Sequence, residues 1–225
     1  SIARAPIRIL VAIATSRESA DPVKHALRLL NEAEADANFS ASHEDWWDGF
    51  WQRSSIELPD QLEENIWYLG LYQQACCSRS EVATSFFGLW HPLDYRTWND
   101  CYVADAQVEM IWWCCFASNH LELLYPSHRT FGRLAPEFVE HTMGDGLEVP
   151  HMFHPEWAGG DRNFGERNSH KVSSAWFALN FWQDYLHSGD PEFLRDATYP
   201  LLRMIADWFV GDLKLEADGH YHCVE

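Results

Sequence analysis

Basic residues are scarce in this chain. Lys and Arg number 16 against 34 Asp and Glu, which leaves a formal net charge of −18. No cluster of Lys or Arg stands out, so neither nucleic acid nor an anionic membrane surface is an expected partner. The apolar run over residues 7–14 is too short to span a bilayer. No signal peptide is visible, but the chain opens on Ser rather than Met. It reads as a fragment or a trimmed piece, which leaves the compartment open between cytoplasm, periplasm and exterior. Among its six Cys no C-x-x-C spacing occurs, which speaks against a zinc cage. The adjacent pairs Cys76–Cys77 and Cys114–Cys115 sit in apolar, helix-like runs. Neighbouring helical positions point apart, so all six are expected as small apolar side chains rather than bridges. G-x-S-x-G, the P-loop and G-x-G-x-x-G are missing too, which removes the common hydrolase and nucleotide signatures. No cofactor is expected.

Tryptophan is abundant. Twelve Trp in 225 residues, with 47% hydrophobic residues, provide ample material for a core. Residues 7–14 are β-branched and read as a strand whose partners lie elsewhere, the tail (1–16) of a preceding β domain. From residue 17 to 225 the pattern is helical. Asp21-Pro22 marks a helix start, and so does Pro59-Asp60 before a helix whose expected apolar face is Leu62, Ile66, Leu69, Tyr72 and Cys76. The spacing predicts a Trp-rich helix over 43–53 and a buried helix over 108–125. Further helices are predicted over 126–143, 169–187 and 191–213. Gly189 and Asp190 form a tight turn between the last two. Long polar and aromatic loops occupy 78–104 and 145–168, and the tail suggests a turn with a short strand. Short turns alternating with long loops, without a fixed repeat, point to an all-α toroid of helical hairpins.

Chemistry-bearing residues cluster in three places. Asp105 and Gln107 would stand side by side if 103–107 were extended, where a carboxylate and a carboxamide can grip a water or a sugar hydroxyl. Asp105 could equally cap the helix that follows, and Glu109 lies beyond them. Trp90, Trp98 and Asn99 share the first long loop, in which flat indoles suit the C–H faces of sugars and amides their hydroxyl rims. Asn119 and His120, with Glu122, interrupt an apolar helix and need hydrogen-bond partners there. His151, His154 and Asp161 lie in the second long loop. Their H-x-x-H spacing lacks the helical H-E-x-x-H context, so a substrate-facing role is preferred to a metal.

Several blocks then resemble glycoside hydrolase family 95. "HEDWWDGFWQRSSIELPDQLEENIWYLGLYQQACCSRS" is similar to the stretch that opens that family's catalytic barrel. "CYVADAQVEMIWW" is similar to its Y-x-x-N-x-N-x-Q-M-N-Y-W segment. "SNHLEL" before Pro126, and "YLHSGDPEFLRDATYPLLRMIADWF", fit further blocks in the same order. The resemblance implies a six-hairpin (α/α)6 barrel, of which this chain would supply the first half, entered from a β-sandwich. It implies inverting hydrolysis of α-L-fucosides or α-L-galactosides. A Glu would be the general acid, expected beyond this chain since Glu225 stands in a poor context for it. Two Asn would position the attacking water. Asp105 and Gln107 fall on those Asn. Asp could activate a water itself, and Gln moves the carboxamide by one methylene, which bears on sugar specificity. A half ring would leave apolar faces uncovered and would be inactive alone. The alternatives are a glycoside phosphorylase on the same barrel and a non-catalytic sugar-binding barrel. The carbohydrate is the expected partner, and oligomeric state is left open.

Overall fold

A computed structural model describes residues 7–85, 88–89, 101–154 and 171–223. The chain divides into two compact units, Ser1–Ser55 and Ile56–Glu225.

In the first unit, α1 (Pro22–Ala35) starts as its sequence predicts. Pro22 occupies the first turn and the Asp21 carboxylate accepts from Lys24 N–H at 3.0 Å. In α2 (Ala41–Trp51) aromatics at four-residue spacing lie over one another: Trp46 stacks on Phe50 at 5.2 Å and Trp47 on Trp51 at 5.6 Å. Residues 7–14 join no ladder among the described residues. Ile7, Ile9, Val11 and Ile13 all stand exposed while Leu10, Ala12 and Ala14 are half-buried, so from Ile9 on the period of two survives without a partner strand.

The second unit begins with α3 (Gln61–Cys77), capped by Asp60, which accepts from Leu62 N–H at 2.8 Å. Its buried residues are Leu71 and Ala75. The apolar face read from the sequence, Leu62, Ile66, Leu69 and Tyr72, is exposed. A short strand β1 (Tyr102–Val103) leads to α4 (Ala106–Met110) and α5 (Trp113–Ala117). A 3-10 turn (Leu121–Leu124) then enters α6 (Tyr125–His141).

The single buried helix expected over 108–125 is therefore three pieces. Asn119 adopts the left-handed conformation at φ 58°, and His120 N–H reaches back to the Cys115 carbonyl at 3.0 Å. This closes α5 with the bond pattern that ends helices at a left-handed residue, a conformation asparagine tolerates. Met110 and Trp113 are exposed, so the segment is not apolar-packed all round. Cys114 is exposed as well, against the expectation of burial, while Cys101 and Cys115 are buried. No disulfide joins any of the six.

After β2 (Met152–Phe153) the chain continues through α7 (Lys171–Ser188) and the short α8 (Pro191–Phe193). A π turn (Leu194–Thr198) runs into α9 (Tyr199–Asp212). The α7–α8 turn is built as read: Gly189 has φ 64°, and the Asp190 carboxylate caps Glu192 N–H at 2.8 Å. The tail forms a two-stranded antiparallel hairpin, β3 (Leu213–Leu215) with β4 (Tyr221–Cys223), where a turn and one strand were expected. Among the described residues no helix is long and apolar enough to cross a membrane.

Phe131 of α6 is the hub of the core. Its ring meets Phe177 of α7 edge-on at 4.4 Å, Phe153 of β2 at 5.6 Å, Trp112 at 5.7 Å and Tyr102 of β1 at 6.2 Å. The same helix carries His128, which lies between Phe181 and Phe193 with its Nε2 3.4 Å from Asp184 Oδ2. Burial pushes His128 down to about 4, so the ring is neutral at physiological pH.

The segment entering β2 is fixed at three points. Glu148 N–H donates to Thr142 Oγ1 at 2.9 Å, Leu147 N–H to the Met204 carbonyl at 3.0 Å, and Val149 N–H to Ser174 Oγ at 2.8 Å. Gly146 sits among them at φ 96°, where a Cβ would stand 2.3 Å from the Met204 carbonyl oxygen and 2.6 Å from Trp208 N. Only glycine fits both the conformation and the approach. Gly146→Ala is expected to destabilise the second unit by roughly 2–4 kcal/mol, read as a lowered denaturation midpoint. A midpoint unchanged from wild type would show that this segment is not seated on α9.

Candidate active site

The site is assembled by a two-rung ladder. Tyr102 pairs with Phe153 and Val103 with Met152, antiparallel. One step further, Ala104 N–H donates to the His151 carbonyl at 2.6 Å. This register carries His151, distant in sequence, to the residue just before Asp105. Its Nε2 lies 3.3 Å from Asp105 Oδ2. The other oxygen, Oδ1, accepts from the Gln107 backbone N–H at 3.2 Å, making Asp105 the N-cap of α4. The cap and the contact with His151 thus fall to different oxygens of one carboxylate. The expected extended run stops at Val103. Gln107 belongs to the first turn of α4 and meets Asp105 through its backbone rather than side by side.

Accessibility separates the carboxylates. The Asp105 and His151 side chains keep 32% and 30% of their surface, while Glu109 has none. Glu109 stands one helical turn beyond Asp105 on α4, four positions on, the spacing at which side chains are neighbours. Neither of its carboxyl oxygens, nor Gln107 Oε1, finds a hydrogen-bond partner among the described residues. Burial pushes the Glu109 carboxyl up to about 8, and the charge of Asp105 adds to the shift. One member of the pair is thereby open to solvent and the other is a neutral acid at pH 7, an arrangement that separates roles between two like groups.

The other described residues singled out from the sequence take the following places. Asn119 is the exposed left-handed terminator of α5. His120 is fully buried with Nδ1 2.9 Å from Glu122 Oε1. His154 follows β2 and is half-buried. Trp90, Trp98, Asn99 and Asp161 fall outside the described residues, as does Glu225. Asn180 was missed by sequence reasoning. It is buried on α7, against which α4 packs, and its Nδ2 has no partner among the described residues. Its signal was an amide within the apolar "FALNFW". Among the described residues no three His, Cys, Asp or Glu gather to hold a metal ion.

The raised Glu109 pKa makes stability pH-dependent in a defined direction. Folded Glu109 holds its proton to about 8 whereas the unfolded carboxyl releases it near 4.5, so its contribution is full below 4.5 and is lost as pH rises through 8. Glu109→Gln removes that loss. Its stability relative to wild type should rise between pH 5 and pH 8 by roughly 3 kcal/mol, measured by chemical denaturation at a series of pH values. A difference that stays flat with pH would contradict this burial.

A search of curated proteins gave no match. The model of the glycosyl hydrolase family 95 catalytic domain matches residues 27–225, which include every element from α3 onward and the whole of the Asp105 site. With that match over most of its length, the chain belongs to glycosyl hydrolase family 95 and is a glycoside hydrolase.

Proposed function

We propose that this chain takes part in inverting hydrolysis of α-L-fucoside-like bonds, with Asp105 as the base that activates the attacking water. What supports the reading most is Asp105 itself. It is half-open, and both oxygens are oriented, one by the Gln107 N–H and one by His151. An oriented carboxylate with access to solvent can accept a proton from a bound water. His151 holds the carboxylate in place, and the Gln107 amide offers the water or a sugar hydroxyl a second contact. Glu109, Trp90, Trp98, Asn99, Asn119, His120, His154 and Asp161 are assigned to substrate binding. Inversion needs an acid on the opposite side of the bond, roughly 6.5–9.5 Å from the base. That acid is proposed to be a glutamate outside the described residues. In domain terms, residues 1–16 are proposed to leave a β domain and 17–225 to build the first half of the barrel. Phosphorolysis is less favoured, because a phosphate would approach the acidic Asp105 with no described basic cluster beside it.

The test uses the natural protein that carries this sequence. Aryl α-L-fucosides and α-L-galactosides are offered, and the anomer released first is read by proton NMR. The β-anomer should appear first. Asp105→Asn should lower kcat by 10²–10⁴-fold, the usual weight of a general base. First release of the α-anomer, or full activity in Asp105→Asn, would overturn the assignment.

A further inference from the structure

Backbone bonds alone fix the β1–β2 register weakly, since the ladder holds two residue pairs and one added bond from Ala104. Side chains must supply the rest. Tyr102 opens β1, three residues before Asp105, and its ring packs against Phe131 and Phe153. A phenylalanine would pack in the same way. What a phenylalanine lacks is the hydroxyl, and the Tyr102 O–H donates to the Ala83 carbonyl inside the core.

Ala83 is itself held. Its N–H donates to Thr130 Oγ1 of α6 at 2.9 Å, and Thr130 is fully buried. At the surface the neighbouring Arg129 pairs with Glu81, so the 81–83 segment is attached to α6 at two successive residues. Both backbone polar groups of Ala83 are therefore met by side chains, one from α6 and one from β1. A hydrogen bond is directional where apolar packing is not. A slip of β1 by one residue would turn the Tyr102 side chain to the opposite face and take the donor from a buried carbonyl. The correct register is the one in which this bond and the contact between His151 and Asp105 form together.

We propose that Tyr102 is a positioning residue for the Asp105 site. Its hydroxyl, seated on Ala83 and through Ala83 on Thr130, locks the strand register that sets His151 against Asp105. This rests on the reading of Asp105 as the base of a sugar-cleaving site. Tyr102 is buried, so it acts on the reaction only through Asp105.

The experiment uses the natural protein that carries this sequence. Tyr102→Phe removes one hydroxyl and keeps the ring. Thr130→Val removes the acceptor on the other side of Ala83 with little change of volume. Hydrogen exchange of the Ala104 N–H reports the ladder, and kcat and KM with aryl α-L-fucosides report the site. Both variants should speed Ala104 exchange roughly tenfold and lower kcat to a similar degree, with KM little changed. Thr130→Ser keeps a hydroxyl and should behave as wild type. In an Asp105→Asn background, Tyr102→Phe should cause no further loss of kcat. Unchanged Ala104 exchange in Tyr102→Phe overturns the lock, even where the denaturation midpoint falls. An equal loss of kcat in both backgrounds overturns the route through Asp105. Full activity in Asp105→Asn, with Ala104 exchange still faster in Tyr102→Phe, would sink the reading of Asp105 as the base and leave the register lock standing.

Discussion

The arrangement of the site depends on one short ladder. Two residue pairs and one extra backbone bond join β1 to the arm that carries His151. So small a sheet has little stability alone. It is held from below by Phe131, whose ring touches Tyr102 and Phe153, one from each strand. It is held from the side by the Gly146 segment seated on α9 and α7. A slip by one residue would turn every side chain of the pair to the opposite face and part His151 from Asp105. Packing distant from the site therefore fixes the geometry at Asp105.

Position along α4 then divides the polar groups. Asp105 ends the strand side of the turn and keeps contact with solvent, while Glu109, four positions on, is fully buried. Desolvation pushes the Glu109 carboxyl up, and the nearby negative charge of Asp105 acts in the same direction. Family membership supplies the reaction class, glycoside hydrolysis. The separation of an open carboxylate from a closed acid is a property of this chain's own geometry.

Local chemistry in the sequence translated well. Asp21, Asp60 and Asp190 cap the helices they were read to open, and Gly189 turns the chain where expected. These signals act over a few residues, so they are visible without tertiary knowledge. The helical class followed from the same periodicity. What periodicity did not reveal was which apolar face is covered. Leu62, Ile66 and Leu69 form the stripe in the sequence, yet Leu71 and Ala75 are the buried residues of α3. Nor did it reveal the break at Asn119, where one left-handed residue overrides an apolar run. The pairing of His151 with Asp105 was beyond local reading, since the β1–β2 register creates it across 46 positions. Asp105 was legible as a cap, and the oxygen that caps is not the one that meets His151.

The central claim is that Asp105 and His151 act as one unit because the strand register joins them. A double-mutant cycle with Asp105→Ala, His151→Ala and the pair, followed by chemical denaturation of the chain, measures this directly. The account predicts a coupling energy of about 0.5–1 kcal/mol, as fits a hydrogen-bonded pair that is only partly buried. Effects that simply add, to within about 0.3 kcal/mol, would contradict it.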